Sequence, residues 1–261
     1  MGVEVRKIGA IAWLTLNRPD VRNALDMDSL KAISAFADDL ASDPELRVGV
    51  IAGAGDYFCA GADLAEFLAS LDSSQNVNGQ PDFLDVVFST FEKLRNVPVP
   101  IIAAVNGPAI AGGLELILTC DIVIASELAT FADGHAKYGI IPGGGSSAIL
   151  PRLLPVNIAR YLLLTGEALP ATTMHQLGLV NQIVETEKLE SAVLDLAKTV
   201  AEKSPLVLAQ MKRLVGKAQS ISLRDAVIDE FLSLRNHTRS VDLHEGLTAF
   251  AEKRQPVFVG R

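Results

Sequence analysis

Cysteine is scarce in this sequence: Cys59 and Cys120 are the only two in 261 residues, and both stand among apolar neighbours. That excludes a disulfide framework and suits reduced thiols in a reducing compartment. Positive charge is in deficit, with 23 Lys and Arg against 31 Asp and Glu, a net charge of −8 and a pI near 5.0. A nucleic-acid partner is therefore not expected. No apolar run is long enough to span a membrane: the stretch from Val97 to Cys120 is broken by Pro98, Pro100, Asn106, Pro108 and Glu115. The N-terminus, MGVEVRKIGAIAWLTLN, carries charges among its apolar residues and lacks a signal-peptide core. A cytoplasmic protein with no membrane partner is the expectation. Internal repeats and low-complexity tracts are missing. So are several signatures of chemistry. GAGDYF at 53–58 lacks the third glycine of a dinucleotide fingerprint, and GGGSS at 143–147 lacks the lysine of a P-loop. GGSSA does not fit a nucleophile elbow, although Ser146 and Ser147 near His135 leave a thioesterase-like variant open. No Cys/His cluster has metal-ligand spacing, so no metal is expected.

What is present is a large apolar fraction, 49%, enough to bury a sizeable core in one large domain or two small ones. The chain is organised around residues 101–121, IIAAVNGPAIAGGLELILTCD. Ile101 to Val105 read as a buried strand, Asn106-Gly107-Pro108 as a turn, and the residues after Gly112 and Gly113 as the start of a buried helix. Glycine lets backbone approach a ligand closely, and the first N–H groups of a helix lack intrahelical partners. Such a turn can receive an anion. Glu115 stands just beyond it among Leu114, Leu116, Ile117 and Leu118. A carboxylate in that setting is either paired, for instance with an arginine, or chemically employed.

Read in order, residues 10–16 form a strand and Asp26 or Asp28 caps a helix over 27–42, with Leu30, Ile33, Phe36, Ala37 and Leu40 on its buried face. Residues 47–53 form a buried strand. AGDYFCAGADLAEF then repeats the central logic, with a tight turn at Gly61 and a helix that Asp63 can cap. Residues 70–82 are polar and rich in turn formers and read as a flexible surface loop. A helix follows over 83–96, DIVIAS is a strand, and 130–145 is loop-like. Residues 146–165 are helical in two pieces broken near Pro151 and Pro155, and 179–185 is a last strand. Successive helices fill 189–252, one of them starting at Pro205. Strand–helix alternation followed by a helical tail gives an α/β class. His175, His237 and His244 fall in helical or helix-linking segments and are expected at the surface.

The segments NRPDVRNAL (17–25), FCAGADL (58–64) and PVPIIAAVNGPAIAGGLELILTCDIVIAS (98–126) together resemble the crotonase superfamily, the enoyl-CoA hydratase/isomerase family. TFADGHAKYGIIPGGG (130–145), LLTGEALPA (163–171), GLVNQIV (178–184) and FAEKRQPVF (250–258) extend the resemblance over nearly the whole chain. It implies a spiral of ββα units over 1–195 and a helical C-terminal trimerisation region over 196–261. It further implies a homotrimer or dimer of trimers, an acyl-CoA thioester as substrate, and no cofactor beyond the coenzyme A that the substrate carries. The backbone N–H groups of Ala62 and Gly112 map onto the family's oxyanion hole. The physical reading agrees, since two preorganised donors stabilise the charge that a thioester carbonyl gains as an enolate forms.

The family's hydratases hold a water between two glutamates. The first maps onto Glu115. The second maps onto position 135, which is histidine here, with Asp133 two residues earlier. His135 can serve as acid or base near neutral pH, or can be a hydrogen-bonded loop histidine. The resemblance favours hydration of a 2-enoyl-CoA by Glu115 and His135. Isomerisation, hydrolysis, carbon–carbon cleavage or simple acyl-CoA binding remain alternatives. It also places Arg22, Ala24, Ala60, Asp63, Leu64, Gly113 and Tyr138 along the cleft for coenzyme and acyl group, with Phe250 and Lys253 reaching a neighbouring subunit's nucleotide. Phe67, Leu68, Phe83, Leu84, Val87 and Ile140 are further candidates for the acyl pocket.

Overall fold

The computed structural model describes residues 2–72 and 81–261. The chain begins with two antiparallel strands, β1 (Val3–Ile8) and β2 (Ile11–Leu16), and a helix, α1 (Met27–Ser42). Next come β3 (Val48–Gly53), α2 (Leu64–Asp72), α3 (Phe83–Asn96) and β4 (Ile101–Val105). A compact stretch holds β5 (Ala109–Ile110), α4 (Gly112–Ile117), β6 (Ile122–Ser126) and β7 (Thr130–Ala132). Then follow α5 (Ser146–Leu153), α6 (Val156–Thr165), β8 (Leu169–Pro170), α7 (Ala171–Gln176) and β9 (Gln182–Val184). Four helices close the chain: α8 (Leu189–Ala201), α9 (Pro205–Ala218), α10 (Leu223–His237) and α11 (Val241–Glu252).

The main sheet has the order β1-β2-β3-β4-β6-β9, and every pairing after β1–β2 is parallel. A small sheet, β5-β7-β8, stands beside it. The central strands are apolar on both faces, as parallel strands covered on both sides must be. Along β4, Ile101, Ala103 and Val105 enter the larger core, while Ile102 and Ala104 enter a second core. The larger core is closed by Leu30, Ile33, Phe36, Ala37 and Leu40 of α1 and by Phe83, Phe91 and Leu94 of α3. The second is closed by Leu189, Val193 and Ala197 of α8. Position 195/196, expected as the division of the chain, falls inside that helix.

The start signals act as the sequence suggests. Asp26 accepts from Ser29 N at 2.8 Å at the head of α1. Asp82 and Asp85 form a reciprocal capping box on α3. Several elements differ from the reading of the sequence. The strand β1 was not foreseen because its side chains are largely exposed and charged, which hides the apolar signal. The helix α2 runs to Asp72, into the stretch expected as a surface loop; residues 73–80 of that stretch lie outside the described residues. The stretch 130–145 contains β7 and a 3-10 turn, His135–Tyr138. Pro151 sits inside α5 and the break falls at Leu154 and Pro155. The central helix α4 is a short one of six residues.

Candidate active site

Two turns build the floor of the site, and the backbone stitches them together. Phe58 N donates to Pro108 O at 3.1 Å and Ile110 N donates to Cys59 O at 2.9 Å. Gly61 has φ +101°, and a Cβ there would lie 3.2 Å from Gly112 N. A Cβ on Gly112 would in turn lie 3.4 Å from Ala62 N. The backbone amides of Ala62 and Gly112 are thus neighbours, and neither donates a hydrogen bond to another backbone group among the described residues. Gly112 is aimed by Ala111, which adopts φ 50°, ψ −117°, a conformation that strains any residue with a Cβ. It is held there by Ala111 N donating to Ala132 O at 2.9 Å and by Glu115 N donating to Ala111 O at 3.0 Å.

One turn beyond Gly112, Glu115 is 2% exposed. No arginine pairs with it among the described residues. Its Oε1 instead accepts from Gly144 N at 2.8 Å and Ser146 N at 3.1 Å. Gly144 is required there: a Cβ would stand 2.7 Å from Glu115 Oε2 and from the Phe91 ring. Arg95 of α3 donates from Nη2 to Gly144 O, fixing the glycine-rich segment from the other side.

With Oε1 so occupied, Oε2 faces His135, whose Nε2 lies 3.7 Å away. His135 Nδ1 is 3.0 Å from Asp133 Oδ1. Burial pushes the Glu115 carboxyl above its ordinary range, and the Ser146 and Gly144 amides with the charge of His135 offset only part of this. For His135, burial opposes the charged form, but the hydrogen bond and charge of Asp133 and the charge of Glu115 prevail, and its proton affinity rises. A partly buried imidazole and a buried carboxylate therefore face each other, and the proton affinity of each is raised.

The other expected residues are distributed as follows. Arg22, Ala24 and Ala60 lie together: Ala60 N donates to Arg22 O at 3.0 Å, and the Arg22 guanidinium sits 5.2 Å above the Tyr57 ring. Leu25 carries this strip to the first turn, with Leu25 N donating to Gly61 O at 2.8 Å. Asp63 is engaged locally, accepting from Arg18 Nη2 at 3.1 Å and capping α2 through Glu66 N at 3.4 Å. Gly113 is buried against the carbonyl of Cys59. Leu64 and Tyr138 are exposed, as are Leu68 and Leu84. Phe83, a candidate for the acyl pocket or for core packing, is 2% exposed. Its ring centroid lies 5.7 Å from that of Phe67. Phe250 and Lys253 lie exposed at the end of α11, and no described hydrogen bond or ion pair joins them to Glu115 or His135. Ser146 is buried with its amide on Glu115, and neither it nor Ser147 bonds to His135, which disfavours a serine nucleophile.

Sequence reasoning missed Asn23, a buried residue with φ 55° whose Nδ2 donates to the carbonyls of Ala54, Tyr57 and Phe58. It gathers the loop before the first turn. The signal was an asparagine, the residue most tolerant of a left-handed backbone after glycine, beside an apolar pair. Arg95 carried no signal at all, since a basic residue at a helix end is commonplace.

Comparisons with known proteins bear on the family and the fold. Enoyl-CoA hydratase EchA19 of Mycobacterium tuberculosis is 35% identical over 260 residues, covering 98% of this chain and 96% of its own. The 2,3-dehydroadipyl-CoA hydratase of Escherichia coli is 36% identical over 251 residues, covering 96% of each chain. Among solved structures, an enoyl-CoA hydratase from Bacillus anthracis superposes with a TM-score of 0.93 at 30% identity, covering 100% of both chains. The likeness thus runs over nearly the whole chain and its fold. With the profile for enoyl-CoA hydratase/isomerase matching residues 6–261, this chain belongs to that family, within the crotonase superfamily.

Proposed function

We propose that this enzyme adds water to 2-enoyl-CoA thioesters, with Glu115 as base and His135 as acid. The observation that carries the reading is the 3.7 Å between His135 Nε2 and Glu115 Oε2. That distance is too long for a direct hydrogen bond, and one water can bond to both groups across it. In the reaction Glu115 takes a proton from the water, and the oxygen bonds to the β-carbon. The double-bond electrons pass to the thioester as an enolate, and His135 delivers a proton to the α-carbon. The enolate oxygen is received by the Ala62 and Gly112 amides, each donor of this type lowering the barrier by about 3–4 kcal/mol. The hydratase names of the relatives support this choice over isomerisation or hydrolysis.

Arg22, Ala24 and Ala60, with Asp63, Leu64, Gly113 and Tyr138, are read as lining the cleft for coenzyme and acyl chain. Phe250 and Lys253 would serve a neighbouring subunit's coenzyme in a trimer or dimer of trimers. The apolar residues exposed on α10, Leu223, Val227, Phe231 and Leu234, support such an assembly. The two free cysteines support a cytoplasmic location. Among the described residues no helix is long and apolar enough to cross a membrane.

The test is loss of the enone absorbance of crotonyl-CoA and of a longer 2-enoyl-CoA. Turnover of either, with a 3-hydroxyacyl-CoA as product, supports the reading. No turnover of any 2-enoyl-CoA overturns it and directs attention to isomerase, hydrolase and lyase substrates.

A further inference from the structure

Asp133 is fully buried, and its described hydrogen bonds run only to His135. Oδ1 faces Nδ1 at 3.0 Å and accepts from the His135 backbone N–H at 3.4 Å. Its other oxygen, Oδ2, is buried without a described partner. A carboxylate so placed has no route to substrate. It is also costly in an apolar interior unless a cation compensates it, and among the described residues the ring of His135 is the only cationic group paired with it. The ring cannot turn freely, because Nδ1 is taken by Asp133 while Nε2 looks to Glu115.

We propose that Asp133 is the positioning residue of this site: it holds His135 with a proton on Nδ1, so that Nε2 alone meets Glu115 and the reacting atoms. The proposal rests on the hydratase reading for what the imidazole then does. In that step the Nε2–H bond breaks as the α-carbon–hydrogen bond forms, and the N–H electron pair stays on Nε2. The ring is left neutral with its remaining proton on Nδ1, donated to Asp133. One tautomer serves the whole cycle, and Glu115, holding the water's proton, returns it to Nε2. A histidine in place of the second glutamate thus arrives with its own carboxylate, buried two residues away in sequence. Two carboxylates remain in the site, but only one faces the substrate.

The groups facing His135 are few. Asp133 comes from the segment after β7, and Glu115 comes from α4. Lys137 of the same turn reaches Glu167 at 3.6 Å, and Arg160 on the neighbouring α6 is exposed. The segment 143–146 presents backbone amides and no ionisable group.

The test uses the full-length enzyme. Asp133→Asn keeps the shape and removes the charge. With crotonyl-CoA it should lower kcat by about 30-fold or more while leaving KM within about threefold. The alkaline limb of the kcat profile should move to lower pH. In a His135→Ala background the same substitution should change kcat less than about twofold, because the two residues act as a unit. A kcat within about twofold of wild type, or full additivity with His135→Ala, overturns the proposal. Nitrogen-15 NMR of the histidines in the wild type gives a reading that needs no turnover and no variant of Asp133. With four histidines in the chain, the His135 signals can be assigned by their loss in His135→Ala. Neutral His135 should carry its proton on Nδ1, and finding it on Nε2 overturns the proposal. An enzyme that hydrates nothing but shows the Nδ1 tautomer leaves Asp133 in place and removes the hydratase reading alone.

Discussion

Gly113 rests on Cys59 so closely that a Cβ at position 113 would stand 2.2 Å from the Cys59 carbonyl oxygen. That oxygen already accepts from Ile110 N at 2.9 Å, so the first turn cannot retreat without breaking the stitching between the two. Gly113→Ala should therefore destabilise the protein by about 3 kcal/mol or more. Hydration should fall at least about a hundredfold, since displacing one oxyanion donor has an effect of that size. Thermal melting and kcat on crotonyl-CoA check both expectations. A variant with wild-type melting and turnover would show that the turns tolerate separation.

Glu115→Gln keeps a carbonyl to accept from Gly144 and Ser146 but removes the base. We expect turnover to drop by about a thousandfold or more, with coenzyme A affinity changed less than about threefold. Steady-state rates and calorimetric binding of coenzyme A read the two effects separately. Rates near wild type would remove Glu115 from the reaction.

The pH profile has a defined shape on this reading. Glu115 must be ionised to act as base, and burial raises its proton affinity, so the acid limb should lie above the ordinary 4.5 of a glutamate. His135 must be protonated to act as acid, and its carboxylate neighbours raise its proton affinity, so the alkaline limb should lie above 6.5. His135→Ala should abolish the alkaline limb along with most activity. The same raised affinity stabilises the folded chain: the contribution is complete below pH 6.5 and is lost as pH rises through the folded value. The stability difference between wild type and His135→Ala should therefore shrink from pH 6 to pH 9, as read by denaturant titration.

Asp242 holds the C-terminal tail. It is 1% exposed and accepts from Val259 N at 2.8 Å, Gly260 N at 3.1 Å and Ser204 Oγ at 2.5 Å. Asp242→Ala should cost about 2–4 kcal/mol by leaving these donors unpaired. Burial works against its charge, yet the donors hold its carboxyl below the ordinary value, so this stabilisation is present above 3.8 and is lost as pH falls through the folded value. Melting curves at pH 7 and in mild acid test both the size and the sign.

Much of this was legible in the sequence because local signals agreed with one another. The helix α1 announced itself through the Asp26 cap and five apolar residues on one face, and β4 through an unbroken apolar run before Asn106-Gly107-Pro108. The two turns were readable as a pair because each has a strand before it and glycine within it. What stayed hidden depends on contacts distant in sequence. The strand β1 is recognised only through its pairing with β2, and Glu115 is held by backbone amides rather than by an ion pair with an arginine because residues 144–146 fold back on it. Arg95 bonds to a carbonyl, which leaves no trace in a sequence, and Asn23 offers only its tolerance of a left-handed backbone.

The capping box of Asp82 and Asp85 makes α3 self-starting: the helix carries its own N-terminal signal and docks through Phe83, Phe91 and Leu94. Nothing upstream is needed to nucleate it. Removing either carboxylate of the box should therefore loosen the wall that Phe91 forms beside Glu115.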